Sequence, residues 1–474
     1  MTGTPARARV LFLQNLRERW REFSLNRAVR LAGAPKTDLR PDDLARLRRH
    51  MQDCLEARGG EVSARARAVE LGRSYLQLSK KGRRTFLSVL ANEFDIDHEA
   101  AGVAAEQLLQ ASTGGERRAA EDVLRTALEP PRLKLLTQFN ALPDGTKFLV
   151  DLREDVIGFV KRDPSLNPLE QNLKPLLAAW FDIGFLELRR ITWDSPASLL
   201  EKLARSEAVH TVTSWDDLKH RLDSDRRLFA FFHPRMPDEP LIFVEVALVR
   251  GLAGEIAPLL DKDAPPVDPS RADTAVFYSI SNAQRGLAGI SFGGFLIKRV
   301  VDELSGDFPR VRTFATLSPI PAFREWLEQD MSEKPGRLLR PGERKAIAGV
   351  TAGDEGEGAL RSLLDSDWHS RPDVAHAMKG PLMRLCATYL LSAKRADGRA
   401  HDPVAHFHLR NGAKVERLNW LADRSSKGLH QSAGMMVNYL YGLSEIEANH
   451  EAYVGEGLVV ASRAVTRIAR EGKA

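Results

Sequence analysis

Cysteine is nearly absent from this chain. Cys54 and Cys386 are the two cysteines among 474 residues, and they have no CxxC spacing. No disulfide framework or thiolate zinc site follows, and a reducing compartment is the simple expectation. No run of about 20 apolar residues is present, which excludes a membrane-spanning helix of ordinary hydropathy. Charge of one sign is missing too: 69 basic residues stand against 64 acidic ones, interspersed, for a net +5. A nucleic-acid binder carries a concentrated basic stripe interleaved with aromatics, so no nucleic-acid partner is expected. The small excess suits a polyanionic small ligand. The opening stretch MTGTPARARVLFLQNLRERW lacks the apolar block of a secretory leader, and Glu18 and Glu22 argue against a transit peptide. The closing EGKA carries no recognisable address. A cytoplasmic protein is the resulting expectation.

What is present divides in two. A chain of this length is too long for one ordinary core. Up to residue 184 apolar residues recur every three or four positions, as in DDLARLRRHMQDCLEA and AVELGRSYLQLSKKGRRTFLSVLANEF, which is the period of an amphipathic helix. Breaks such as STGGE, EPPR and LPDG separate the segments. Residues 1–184 are therefore expected to form an α-helical bundle with an oligomerisation or scaffold role. After ITWDSPAS, β-branched and aromatic runs enter: RLFAFFHP, LIFVEVALV, TAVFYSI, RTFATLSPI and VAHFHLR, then VERLNWLA. Helical stretches SPASLLEKLARSE, FLIKRVVDELSGDF and VAHAMKGPLMRLCATYLL lie between them. Residues 185–474 are expected to form a mixed α/β (α+β) domain, with RLFAFFHP and LIFVEVALV as an antiparallel hairpin.

Several stretches could carry chemistry. GISFGG, residues 289–294, fits the G-x-S-x-G elbow of a serine hydrolase with Ser291 as nucleophile. Asp402 and His408 could complete a triad in chain order. Yet the strand TAVFYSI ends at Ile280, and SNAQRGLAG separates it from Ser291, whereas an elbow needs the strand to run straight into the serine. The competing reading is an anion cradle: Gly286, Gly289, Gly293 and Gly294 precede a long helix whose first N–H groups are free. An ordinary glycine-rich loop is the third possibility. In HDPVAHFHLRNG, His406 and His408 on a strand would share one face, which raises an H-x-H metal site. A hydrogen-bonded structural histidine, or one working as acid or base, is the alternative. Ser318 stands where an apolar strand meets Pro319 and Pro321; it could cap the helix AFREWLEQ or face a cleft. In SAGMMVNYLYG, Tyr439 and Tyr441 are expected in the core.

Taken together, FYSISNAQRGLAG, FLIKRVVDEL, LSPIPAF, PLMRLCATYLL, FHLRNGA, NWLAD and MMVNYLY resemble malonyl-CoA decarboxylases, in that family's order and over nearly all of the C-terminal half. A weaker likeness runs back through FLVDLRED and WFDIGFLELRRITW. The resemblance implies a catalytic domain similar to the GNAT acetyltransferase fold. It implies that Ala288, Gly289, Ile290, Ser291, Phe292, Gly293 and Gly294 bind coenzyme A, their N–H groups facing the pyrophosphate. It also implies that Ser318 and His408 are the catalytic pair in contact with substrate, joined by Tyr441. In the family an acidic residue stands where Ser291 does, so G-x-S-x-G reads here as an accident. The implied reaction converts malonyl-CoA to acetyl-CoA and CO2 through a thioester enolate that is protonated at C2. The thioester is already an electron sink, so neither metal nor cofactor is expected. A homo-oligomer, dimer or tetramer, is expected, with the apolar face of LFLQNLRERW as a candidate contact. The rival activities are a GNAT-type acyl-CoA-dependent acyltransferase and a serine hydrolase using Ser291.

Overall fold

The computed structural model describes residues 38–56, 60–142, 144–290, 296–333, 336–351, 353 and 356–470. LFLQNLRERW and residues 291–294 therefore lie outside the described residues. Two compact units cluster from the chain: residues 1–185 with 233–238 and 284–291, and the remainder.

The first unit is built of helices: α1 Pro41–Leu55, α2 Glu61–Gln77, α3 Lys80–Asn92, α4 His98–Gln110, α5 Gly114–Ala127, α6 Arg132–Asn140, α7 Gly145–Val160 and α8 Asn167–Trp180. Their apolar stripes meet in a core that includes Leu135, Leu136, Leu149, Leu152, Val156, Leu173 and Leu177, all buried. Tyr75 packs edge-on against Phe86 and Phe148, with ring centroids 5.0 and 5.7 Å away. Its hydroxyl donates to Asp155 Oδ2 at 2.7 Å, and Arg83 Nη1 donates to the same oxygen at 2.9 Å. A buried phenol in this position has its polar tip satisfied, as burial requires.

The second unit is organised by one mixed sheet. Its strands are β1 Glu187–Ile191, β2 Arg226–Phe232, β3 Ile242–Val249, β4 Thr274–Asn282, β5 Thr313–Thr316, β6 Ser318–Pro319, β7 Lys414–Asn419 and β8 Met436–Leu440. The order is β1-β2-β3-β4-β5-β8-β6, with β7 also on β8. β2 and β3 form the expected antiparallel hairpin, Ala230 opposite Phe243. Their near-continuous apolar sequences are buried on both faces. Helix α9, Ala197–Ser206, sets Leu200 and Leu203 on one face beside Leu228, Ala230 and Phe232. Two buried acids of this unit share one buried arginine: Arg221 bonds Asp217 at 2.9 Å and Glu245 at 3.1 Å. Both cysteines are buried and unpaired.

One junction in the sheet positions everything that follows. β4 and β5 run parallel, joined through helix α10, Leu296–Asp307, and their pairing ends at Phe277 opposite Thr316. One last backbone bond, Leu317 N–H to Phe277 O at 3.0 Å, closes the ladder. β4 then continues beside β3 to Asn282, while Ser318 pairs instead with Val437 of β8. Strands β4 and β5 thus part company one residue before Ser318.

One expectation is corrected. VAHFHLR is a helix, not a strand: α13 spans Pro403–Arg410 and follows two further helices, α11 Phe323–Glu333 and α12 Pro372–Ser392. Local chemistry explains the error, because Pro403 sits in the first turn and Asp402 is an N-cap accepting from Val404 N and Ala405 N, both at 2.9 Å. On a helix of about 3.6 residues per turn, positions 406 and 408 point about 200° apart. They cannot share a face. Of the two roles open to Ser318, the capping one is not taken: at the start of α11 Ala322 N donates to Asp402 Oδ2 at 3.3 Å, and the Ser318 hydroxyl goes to Thr316 Oγ1 at 2.9 Å. Asp402, 1% exposed, therefore serves the entries of two helices. Replacing it by alanine is expected to cost about 2 kcal/mol or more, since both cap bonds are lost together. Chemical denaturation of Asp402→Ala beside wild type measures the difference.

Candidate active site

Ser318, His408 and Tyr441 come from three separate places in the chain and meet in the second unit. Ser318 is on the short β6 at the strand junction, His408 is on α13, and Tyr441 directly follows β8. Tyr441 is held there by its N–H, which donates to Phe314 O at 2.9 Å. Ser318 Oγ lies 3.1 Å from His408 Nε2, and His408 Nδ1 lies 2.7 Å from the Tyr441 hydroxyl. The three groups form one hydrogen-bonded line.

All three are buried, with relative exposures of 5% for Ser318, 3% for His408 and 2% for Tyr441. Burial alone pushes the His408 imidazole down to about 3, and it holds the Tyr441 phenol well above its ordinary range. Among the described residues no carboxylate lowers the cost of charging this histidine. Asp402, proposed from chain order as a triad acid, spends its oxygens on helix N–H groups. His408 is consequently neutral at physiological pH, a hydrogen-bond donor at one ring nitrogen and an acceptor at the other. His406, by contrast, turns to Tyr453, whose hydroxyl is 2.7 Å from its Nδ1.

Three neighbours complete the setting. The Tyr439 ring stacks on His408, centroids 4.6 Å apart and planes 24° from parallel. Thr316 Oγ1 accepts from Ser318 Oγ at 2.9 Å and from Tyr439 N at 3.0 Å. The Thr316 carbonyl accepts from Asn438 Nδ2 at 2.6 Å. Sequence reasoning singled out Tyr439 as a core residue and passed over Thr316. The signal for Thr316 was in the chain: residues i and i+2 on an extended strand share a face, and Thr316 precedes Ser318 by two.

The glycine-rich loop is placed by the first unit. Arg153 of α7, 1% exposed, donates from Nη1 to Gly286 O at 2.6 Å and from Nη2 to Ala288 O at 2.9 Å. Glu170 of α8 accepts from the same guanidinium at 2.7 and 3.0 Å. Gly286 lies so close to α7 that a Cβ there would sit 1.8 Å from Val150 O. Gly289 has φ +71°, a left-handed conformation suited to glycine, and a Cβ on it would lie 3.4 Å from Lys174 Nζ. Ala288 and Gly289 are exposed and Ile290 is buried. Ser291, Phe292, Gly293 and Gly294 are outside the described residues.

Comparison with known proteins matches both parts of the chain. The model of the malonyl-CoA decarboxylase C-terminal domain covers residues 184–474, and that of the N-terminal domain covers residues 94–181. The mitochondrial malonyl-CoA decarboxylase of Rattus norvegicus is 39% identical over 461 residues, 93% of this chain and 89% of that protein. The corresponding protein of Anser anser anser is 39% identical over 419 residues, 85% and 83% of the two chains. Among solved structures, malonyl-CoA decarboxylase from Rhodopseudomonas palustris superposes with a TM-score of 0.82 at 43% identity, over 89% of this chain and 99% of that one. The one from Agrobacterium vitis gives 0.80 at 40% identity, over 90% and 99%.

The depressed His408 value carries a consequence for stability. A folded-state pKa near 3, against an ordinary value near 6.5, stabilises the fold fully above about pH 6.5. That contribution is lost as the pH falls from there toward 3, because the unfolded chain takes up a proton the folded chain refuses. Titrating unfolding free energy against pH is expected to show a shallower acid slope in His408→Gln, by up to one proton, than in wild type.

Proposed function

The chain belongs to the malonyl-CoA decarboxylase family, and we propose that Ser318, His408 and Tyr441 carry the family's reaction in it. The enzyme is a carboxy-lyase that converts malonyl-CoA to acetyl-CoA and CO2. The observation that supports the assignment of residues is the buried line from Ser318 through His408 to Tyr441, with no carboxylate of the described residues on the imidazole.

Breaking the bond between C2 and the carboxylate releases CO2 and leaves its electron pair on an enolate shared with the thioester oxygen. Such an enolate is basic enough to take a proton from a neutral donor. His408 supplies it from Nε2, and the vacated nitrogen is refilled from solvent after the products leave. The net reaction consumes one proton. The Tyr441 hydroxyl at Nδ1 holds the ring and offsets negative charge that grows on it during transfer. Ser318 Oγ, 3.1 Å from Nε2, accepts the imidazole N–H in the resting site and so holds the ring proton on that nitrogen. Low polarity around these groups favours expulsion of a carboxylate as neutral CO2.

Coenzyme A is assigned to the segment from Ala288 to Gly294, whose N–H groups would face the pyrophosphate. Support comes from the described part of that segment: Arg153 occupies the carbonyl oxygens of Gly286 and Ala288, and the Lys174 ammonium stands beside Gly289. We assign residues 1–184 an oligomerisation role, as a dimer or tetramer, and residues 185–474 the catalytic role. Exposed Val103, Leu109, Val123 and Leu128 on or beside α4 and α5 support the first assignment. For compartment we assign the cytoplasm, on the two buried free thiols.

The deciding experiment incubates purified protein with malonyl-CoA alone and separates the products chromatographically. Wild type is expected to form acetyl-CoA. Ser318→Ala, His408→Gln and Tyr441→Phe are each expected to slow turnover, with the histidine change costing about 10²–10⁴. Free malonate and CoA in place of acetyl-CoA, together with fluorophosphonate labelling of Ser291, would make the protein a hydrolase instead.

A further inference from the structure

The hydrogen bonds around Ser318 set the direction in which protons can be passed. A serine hydroxyl carries one hydrogen, and Ser318 donates its hydrogen to Thr316 Oγ1 at 2.9 Å. Ser318 Oγ can then meet His408 Nε2, 3.1 Å away, only as an acceptor. Nε2 must carry the ring proton. A neutral imidazole has no second one, so Nδ1 accepts from the Tyr441 hydroxyl at 2.7 Å. The line reads Tyr441 to His408 to Ser318 to Thr316, each hydroxyl or N–H donating to the next.

That order is the reverse of the one in a serine hydrolase, where the hydroxyl donates to the imidazole and is activated by it. The same three side chains could be wired either way. What selects between the two is the acceptor beyond Ser318, and Thr316 is held rigidly for that task. Its side chain is fully buried, and its Oγ1 also accepts from the Tyr439 backbone N–H at 3.0 Å. Its own carbonyl is tied to Asn438 Nδ2 at 2.6 Å. Asn438 Oδ1 is in turn fixed by Arg417 Nε at 3.0 Å and Asn419 Nδ2 at 2.8 Å.

We propose that Thr316 is a positioning residue for the decarboxylation: by accepting the Ser318 hydroxyl it keeps His408 protonated at Nε2 and keeps Ser318 from acting as a nucleophile. This rests on the reading of Ser318 and His408 as the catalytic pair, but the tautomer it specifies can be observed with no substrate present.

The test combines spectroscopy and kinetics. In protein labelled with 15N-histidine, the His408 signals are assigned by their loss in His408→Gln. Wild type is expected to show His408 with a protonated Nε2 and an unprotonated Nδ1 across pH 6–8. Thr316→Val removes the acceptor at nearly constant shape. It is expected to bring in the Nδ1-protonated form and to lower kcat on the order of 10²-fold while KM changes little. Thr316→Ser, which restores a hydroxyl, is expected to recover both the tautomer and most of the rate. A wild-type His408 protonated at Nδ1 overturns the proposal, and so does a folded Thr316→Val with wild-type kcat and an unchanged tautomer. If Thr316→Val does not fold, the wild-type spectrum and Thr316→Ser decide the matter. Failure to form acetyl-CoA with the expected tautomer in place would count against the decarboxylase assignment and not against the wiring.

Discussion

The parallel pairing of β4 and β5 stops at Phe277 and Thr316, and the site of the second unit depends on that stop. Past it β4 stays with β3 while the chain at Ser318 crosses to β8. A strand that leaves its neighbour leaves backbone and side-chain groups without ladder partners, and buried groups must find others. Here the Thr316 side chain does part of the ladder's work, accepting the Tyr439 N–H. Because Thr316 completes β8 with the same oxygen that receives the Ser318 hydroxyl, strand geometry and proton order are set by one atom.

Burial then determines the chemistry available. A solvent-exposed histidine would titrate near neutral pH, but His408 sits under the Tyr439 ring with no acid of the described residues beside it, and its proton affinity falls accordingly. The result is a neutral imidazole, which in the proposed mechanism is the donor that quenches the enolate. A carboxylate on Nδ1 would favour the imidazolium and a base role in the resting enzyme. Tyr441 in that place provides orientation with no formal charge. In the first unit, a buried charge is used differently. Arg153 is paired with Glu170 and spends its remaining donors on two carbonyls of the loop at 286–288. Guanidinium geometry permits several directed bonds at once.

How far the sequence was legible varied with the range of the interactions involved. The helices of the first unit and the β2–β3 hairpin follow from apolar period and β-branched runs, which report local burial. VAHFHLR misled because its apolar and histidine alternation imitates a strand, while the decisive information was the Asp402-Pro403 start signal just before it. Tyr439 and Tyr441 were legible as core residues, in β8 and directly after it. Burial did not say that both meet His408 of α13. Gly289 was legible as a special position, and its positive φ agrees.

By itself, then, the amino-acid sequence determined which segments bury apolar faces, where helices begin, and which stretches match the decarboxylase family. Those are properties of neighbouring residues and of order along the chain. Tertiary structure alone decided that His408 and Tyr441, 33 positions apart, share a hydrogen bond, as do His408 and Ser318, 90 apart. It also decided that Asp402 works on helix ends and not on the imidazole, and that a threonine accepts the serine's hydrogen bond. Hydrogen-bond direction and desolvation depend on everything that surrounds an atom in three dimensions. Residue type and spacing do not carry that information.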